Sequence, residues 1–194
     1  MMVSAVENSY LLFLVLGFAL DAASAFTTAF SRRWGKFGGE LATFVLRNVL
    51  GIPLWVVGLG FAVRTPSQQV FAESGVTAVV GWGLMLLGAA VQTLAIAALG
   101  VRAARPSLDD GLVARGVYAH VRHPIYAGLI LEFAALVLLK PRRIVLLAAV
   151  LGCAWVFVQA RLEERDLLQR MPAYRGYMNR VPRFLPRRGS NVDV

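Results

Sequence analysis

Cysteine is all but missing from this chain. Cys153 stands alone and lies inside an apolar run, so no internal disulfide can form and an extracellular staple is excluded. It reads as a small buried apolar side chain. Histidine is nearly as scarce: only His120 and His123 occur, three positions apart. Only carboxylates would remain to complete a metal site around that pair, so no metal is expected. Acidic residues are few, 11 against 20 lysines and arginines, for a net charge of +9. An excess of this kind can signal nucleic acid. Here, however, the charges fall in loops and in the tail between long apolar runs, and positive loops facing anionic cytoplasmic lipid explain the pattern more simply. No nucleic-acid partner is expected. A glycine-rich phosphate loop is absent too, because Gly81, Gly83 and Gly88 lie within an apolar run with no lysine beside them. They read as positions where missing side chains let helices approach.

What the chain has in abundance is apolar surface. A hydrophobic fraction of 58% and a mean hydropathy of +0.64 exceed what a globular interior requires, which makes this an integral membrane protein. Apolar runs of about the length a bilayer demands of a helix, roughly 20 residues, fall near residues 10–30, 41–63, 76–99, 124–139 and 144–160. The expected fold is therefore all-α, with about five transmembrane helices, since only helices satisfy every backbone amide within one segment in lipid. The run 11–20 followed by Ala22-Ala-Ser-Ala25 resembles a signal peptide, but a basic n-region is lacking and Glu7 stands in its place. It is read as a retained first span.

Basic residues after the first, third and fifth runs place those loops, and the C-terminus, in the cytoplasm. Lys140, Arg142 and Arg143 break that rule, because a five-span count puts them outside. The last two runs are expected to form a hairpin. Within the runs, Asp21 and Arg47 sit at similar depth and suggest an ion pair, while Glu132 is a candidate pocket acid.

Polar chemistry concentrates in residues 116–128, which hold both histidines, Tyr118, Tyr126 and Arg122 directly before an apolar run. Pro124 suits the first position of a helix, because its missing N–H would have no intrahelical partner there. His123 then falls near the N-cap, where free amides favour anionic groups. A hairpin would return Arg161, Glu163 and Glu164 to the same membrane face, so His123 is expected close to the Glu163 region.

Gly116-Val-Tyr-Ala-x-x-Arg-His-Pro-x-Tyr, then a hairpin, Arg161-x-Glu-Glu164, the paired Tyr174 and Tyr177 and Arg180-Val-Pro182 together resemble the integral-membrane methyltransferases. These include isoprenylcysteine carboxyl methyltransferase and bacterial phospholipid N-methyltransferases. The likeness covers roughly residues 112–186; the first three runs match only in character. It implies an enzyme that binds S-adenosylmethionine in residues 101–194, releases S-adenosylhomocysteine, and admits a lipophilic acceptor from the bilayer past the helices of residues 1–100.

The resemblance assigns Glu163 and Glu164 to the cofactor and Arg161 to the neighbourhood of the transferred methyl. The cofactor set is completed by Tyr118, His120, Val121, His123, Pro124 and Tyr126. Tyrosine faces and glutamates suit a sulfonium cation, and the histidines with the helix start suit its carboxylate. For the acceptor, Arg161 or Arg122 can hold a carboxylate bidentately, whereas an amine or phenol needs a base such as Glu132, Glu163 or His120. His120 and Glu132 depart from the family pattern. The competing reading is a non-catalytic transporter or scaffold, with Asp21, Arg47 and Glu132 as a buried polar pathway.

Overall fold

The computed structural model describes residues 2–186, with side chains from residue 9 onward; the side chain of Glu7, and Arg187 and Arg188, lie outside the described residues. All regular structure among them is helical. Helices α1 (Met2–Ser24) and α2 (Thr27–Phe44) lead into a π-helical stretch, Val45–Gly51, and then α3 (Ile52–Arg64). Helix α4 (Gly75–Leu99) is followed by short 3-10 turns at Gly100–Ala103 and Gly116–Ala119, then α5 (Pro124–Leu139), α6 (Arg143–Arg170) and α7 (Tyr174–Arg180).

Among the described residues, three helical runs are long and apolar enough to cross a membrane: Thr27–Arg64, Gly75–Ala103 and Arg143–Arg170. Two shorter apolar helices, Ser9–Ser24 and Pro124–Leu139, accompany them. The 16 residues of α5 rise roughly 24 Å, short of the ~30 Å hydrocarbon core. Exposed apolar side chains such as Val79 and Leu86 stud the outside of α4, as lipid contact requires.

The first expected run is broken differently from the sequence reading. Helix α1 stops at Ser24, and residues 27–34 form a separate helical piece. Gly35 interrupts α2 with φ 73° and ψ 168°, a conformation open to glycine without steric cost. The chain folds back there so tightly that a Cβ on Gly39 would touch the backbone and hydroxyl of Ser31. At the start of α2, the Thr28 amide donates to Asp166 Oδ1 at 2.9 Å, tying this turn to α6.

The core joins the two halves of the chain. Phe18 stacks on Trp155 at 4.7 Å, Tyr126 meets the edge of Trp155, and Phe133 is fully buried against Gly152. Helices α4 and α5 touch backbone to backbone at Gly88 and Gly128, where a Cβ on either would lie 2.7 Å from the other's carbonyl oxygen. Gly81 packs against Leu139, whereas Gly83 faces open space. Cys153 is half-buried beside this core.

Two ends of the bundle are distinct. At one, Val70 N–H donates to Pro141 O at 2.7 Å and Arg143 N–H to Gln68 O at 3.0 Å. Lys140, Arg142 and Arg143 thus sit beside the loop between α3 and α4. The other end gathers the segment from 100 to 123, the last turns of α6, α7 and residues 181–186, and it carries the polar chemistry.

Candidate active site

His123 caps α5, which begins at Pro124 as its proline suggests. Its Nε2 donates to Glu164 Oε1 at 3.2 Å, and its Nδ1 lies 3.9 Å from Glu163 Oε2. The contact expected between His123 and the Glu163 region is therefore present. Glu164 is the centre of a clamp. Arg122 reaches it through Nε at 3.0 Å and Nη2 at 2.9 Å, and Arg183 through Nε at 3.1 Å and Nη2 at 2.6 Å. Arg122 also donates from Nη1 to the carbonyls of Met178 and Val181. The backbone completes the arrangement: the amides of Arg122 and His123 donate to Pro182 O and Arg183 O at 2.9 and 3.0 Å. A buried carboxylate is tolerated where charge-assisted bonds fill its lone pairs in this way. Glu164 and Arg122 thus form a clamp, and Arg122 also borders the neighbouring pocket. Arg183, one of the basic residues after the fifth run, is part of the clamp.

Beside it opens a pocket of about 1010 Å³, its mouth included, bounded by α1, α2, the loop after α4, α5, α6 and α7. Glu163 faces this space. Its Oε1 accepts from the Tyr126 hydroxyl at 2.5 Å and from Gln159 Nε2 at 3.1 Å, while its Oε2 accepts no hydrogen bond among the described residues. Tyr118, Tyr126, Tyr174 and Tyr177 supply aromatic surface, with Leu112, Val113, Leu167 and Met171 as apolar lining. The Tyr177 hydroxyl donates to the Tyr118 carbonyl at 2.6 Å. Burial pushes the phenols of Tyr118, Tyr174 and Tyr177 above the ordinary tyrosine range, so they are neutral donors and ring surface, not bases.

The roof is the loop after α4, strapped to α2 and α6. Lys36 pairs with Asp109, the Ser107 hydroxyl donates to Glu40, and Arg170 donates to the Ser107 carbonyl. Asn48, in the π-helical stretch, reaches the Ala104 carbonyl at 2.8 Å.

Several expected site residues lie elsewhere. His120 and Arg161 are exposed and Val121 is buried, and none of the three borders the pocket; Pro124 is buried as the helix start. Glu132 packs on α4 against Gly88 and beside Gln92, away from the pocket. Asp21 takes Trp55 Nε1 at 3.3 Å and the Ser24 hydroxyl, and forms no direct ion pair with Arg47. The polar pathway through Asp21, Arg47 and Glu132 is therefore not continuous. Instead, Arg47 borders the pocket, as do Ser24, Thr27, Arg102, Asp166 and Arg170. Apart from Arg47, which its depth in an apolar run singles out, they carry no motif in the sequence; only the folding of α1, α2 and the loop after α4 onto α6 collects them.

Residues 76–174 match the family model of the phospholipid methyltransferases. The chain belongs to that family. It is a membrane methyltransferase of the S-adenosylmethionine-dependent kind. Among similar proteins, a methanethiol S-methyltransferase of a Pseudomonas species is 28% identical over 193 residues, covering 90% of this chain and 72% of its own length. Methanethiol S-methyltransferase 2 of Bradyrhizobium diazoefficiens is 30% identical over 186 residues, covering 88% of this chain and 70% of its own. Methanethiol S-methyltransferase 1 of the same organism is 40% identical over 75 residues, 38% of this chain and 26% of its own length. No solved structure matches. Together the pocket, the clamp and the family define the methyltransferase's candidate active site.

Proposed function

We propose that this methyltransferase moves a methyl group from S-adenosylmethionine to a small apolar thiol that enters from the bilayer, leaving S-adenosylhomocysteine. The observation that carries the reading is Glu163: a carboxylate turned into an aromatic-walled pocket, one oxygen held by Tyr126 and Gln159 and the other accepting no hydrogen bond among the described residues, with His123 Nδ1 3.9 Å away. That chemistry suits a sulfonium cation. The names of the similar proteins favour a thiol over the carboxylate, amine or phenol expected from the sequence.

When bound, the cofactor supplies an electrophilic methyl on a positively charged sulfur. Glu163, with the faces of Tyr118 and Tyr126, stabilises that charge. Ile125 and Tyr126 border the pocket in the first turn of α5, where amides lack intrahelical partners and suit a carboxylate. Apolar Leu112, Val113, Leu167 and Met171 offer ring-stacking surface. Because methyl transfer is an in-line displacement, the protein's task is to align the two sulfurs and exclude water, and the roof strapped by Lys36 and Ser107 serves the second purpose. In this reading residues 101–194 hold the cofactor on the cytoplasmic face of five spans, α5 and α6 forming a hairpin, and residues 1–100 admit the acceptor. His120, Val121 and Arg161 have no place in it.

The test is incubation of the purified protein with methyl-labelled S-adenosylmethionine, methanethiol and a host lipid extract. Label is expected in the volatile thioether. Label confined to a lipid would overturn the acceptor, and no label in either would overturn the activity.

A further inference from the structure

Four arginines line the pocket: Arg47, Arg102, Arg122 and Arg170. Three are matched by carboxylates, Arg102 with Asp110 at 3.6 Å, Arg122 with Glu164 at 2.9 Å and Arg170 with Asp166 at 3.1 Å. The side chain of Arg47 alone has neither an ion pair nor a hydrogen bond among the described residues. Its surroundings are Tyr126, Glu163, Asp21 and Tyr118, which act on it only through space. A guanidinium left unsatisfied in an otherwise apolar run is expensive and marks function. The backbone around it points the same way, because Val45–Gly51 is π-helical, a local departure that recurs at functional sites.

Position selects the ligand. Arg47 lies in the interior of the membrane run Thr27–Arg64, whereas Arg102 and Arg170 stand at the ends of theirs, Gly75–Ala103 and Arg143–Arg170, and Asp110 belongs to the roof. An apolar acceptor coming from lipid meets Arg47; a polar cofactor coming from water meets the roof.

We propose that Arg47 is the acceptor-binding residue, its guanidinium receiving the acceptor as a thiolate on the membrane side of the pocket, facing Tyr126 and Glu163. This rests on the thiol reading above. A free thiol ionises near pH ~8.5 and only its thiolate is a strong nucleophile; an adjacent cation lowers such a value by about 1–3 units. The thiol proton leaves to water at the pocket mouth, since Glu163 must stay ionised opposite the sulfonium. The thiolate's electron pair then forms the new sulfur–carbon bond as the methyl–sulfonium bond breaks, and that bonding pair stays on the donor sulfur, which becomes neutral. A protonated lipid amine would be repelled by the same guanidinium.

The experiment compares wild type with Arg47→Gln and Arg47→Lys, using full-length protein in lipid discs. It reads kcat/KM for methanethiol between about pH 6 and pH 10, and S-adenosylhomocysteine affinity by calorimetry. Arg47→Gln is expected to lose about 10-fold or more at neutral pH and to recover as pH rises, its acidic limb moved up by ~1 unit or more. Arg47→Lys should fall between, and product affinity should change less than about twofold in both. An unmoved limb in Arg47→Gln overturns the proposal. So does a large loss of S-adenosylhomocysteine affinity with the limb in place, which would assign Arg47 to the cofactor carboxylate. A wild type that labels lipid but no thiol overturns the thiol reading itself, before any variant is compared.

Discussion

The Tyr126 hydroxyl donates to Glu163 Oε1 at 2.5 Å, bonding the first turn of α5 to α6 one residue before the clamp at Glu164. Adjacent glutamates thereby receive opposite duties. Glu164 turns inward and is consumed by Arg122, His123 and Arg183, while Glu163 turns to the pocket and keeps one oxygen without a hydrogen bond among the described residues.

If Glu163 acts through charge, Glu163→Gln should weaken S-adenosylmethionine binding by about 10-fold while weakening S-adenosylhomocysteine by less than about threefold. The two ligands differ in the sulfonium charge. Calorimetry on both checks the difference, and equal losses would mean that Glu163 shapes the pocket without reading the charge.

Removing the clamp should cost fold before chemistry. Glu164→Ala leaves Arg122 and Arg183 without their carboxylate, Arg122 being buried, and deletion of one buried partner costs about 3–5 kcal/mol. Thermal unfolding in detergent should show a clearly lowered Tm, with cofactor binding lost in proportion to the unfolded fraction.

Tyr177→Phe strips the Tyr118 carbonyl of its donor, and an unpaired buried carbonyl costs about 1–3 kcal/mol. The expected result is a modest drop in Tm with a raised cofactor KM and a nearly unchanged kcat.

Glu132 offers the contrasting case. Packed on α4 beside Gly88 and Gln92 and away from the pocket, it should tolerate Glu132→Gln with turnover and cofactor affinity within about twofold of wild type. A large loss of kcat would return it to the chemistry.

Alkali should act through the buried phenols. Tyr118, Tyr174 and Tyr177 lose their protons less readily folded than unfolded. Above the ordinary tyrosine value of about 10, the unfolded chain therefore binds fewer protons than the folded one, and stability falls as pH rises. Below that value the contribution is fully present. Tyrosinate absorbance should lag at high pH and rise together with unfolding.

The helices were legible in the sequence wherever composition decides them. Pro124 set the start of α5, and the run at residues 76–99 became α4 with a shift of one residue. Residues 116–128 and the two glutamates announced the site because they are polar groups beside lipid. Their division of labour was not legible, since nothing in Glu163-Glu164 says which carboxylate meets the arginines; that depends on the rotation of α6 and on residues 181–183 returning to Arg122. Arg161 shares a motif with the glutamates, yet the same rotation leaves it exposed and off the pocket lining. Asp21 and Arg47 matched in depth, yet Trp55 and Ser24 took Asp21. The fold-back at Gly35 was hidden because Gly35, Gly38 and Gly39 stand close together and only φ reveals which of them turns the chain.

The bonds from Arg122 and His123 to Pro182 and Arg183 set a timetable for biosynthesis. At roughly 5–20 residues per second, several seconds separate translation of the histidine from that of its partners some 60 positions later. Within that interval α5 can be in lipid while Arg122 has no carboxylate until Glu164 is made, 42 positions later, and the pocket has no wall from α7 until residues 174–180 follow. The enzyme is therefore expected to become competent to bind its cofactor only once residues 181–183 have been made, and a ribosome stalled before Val181 should display inserted helices that capture no S-adenosylhomocysteine.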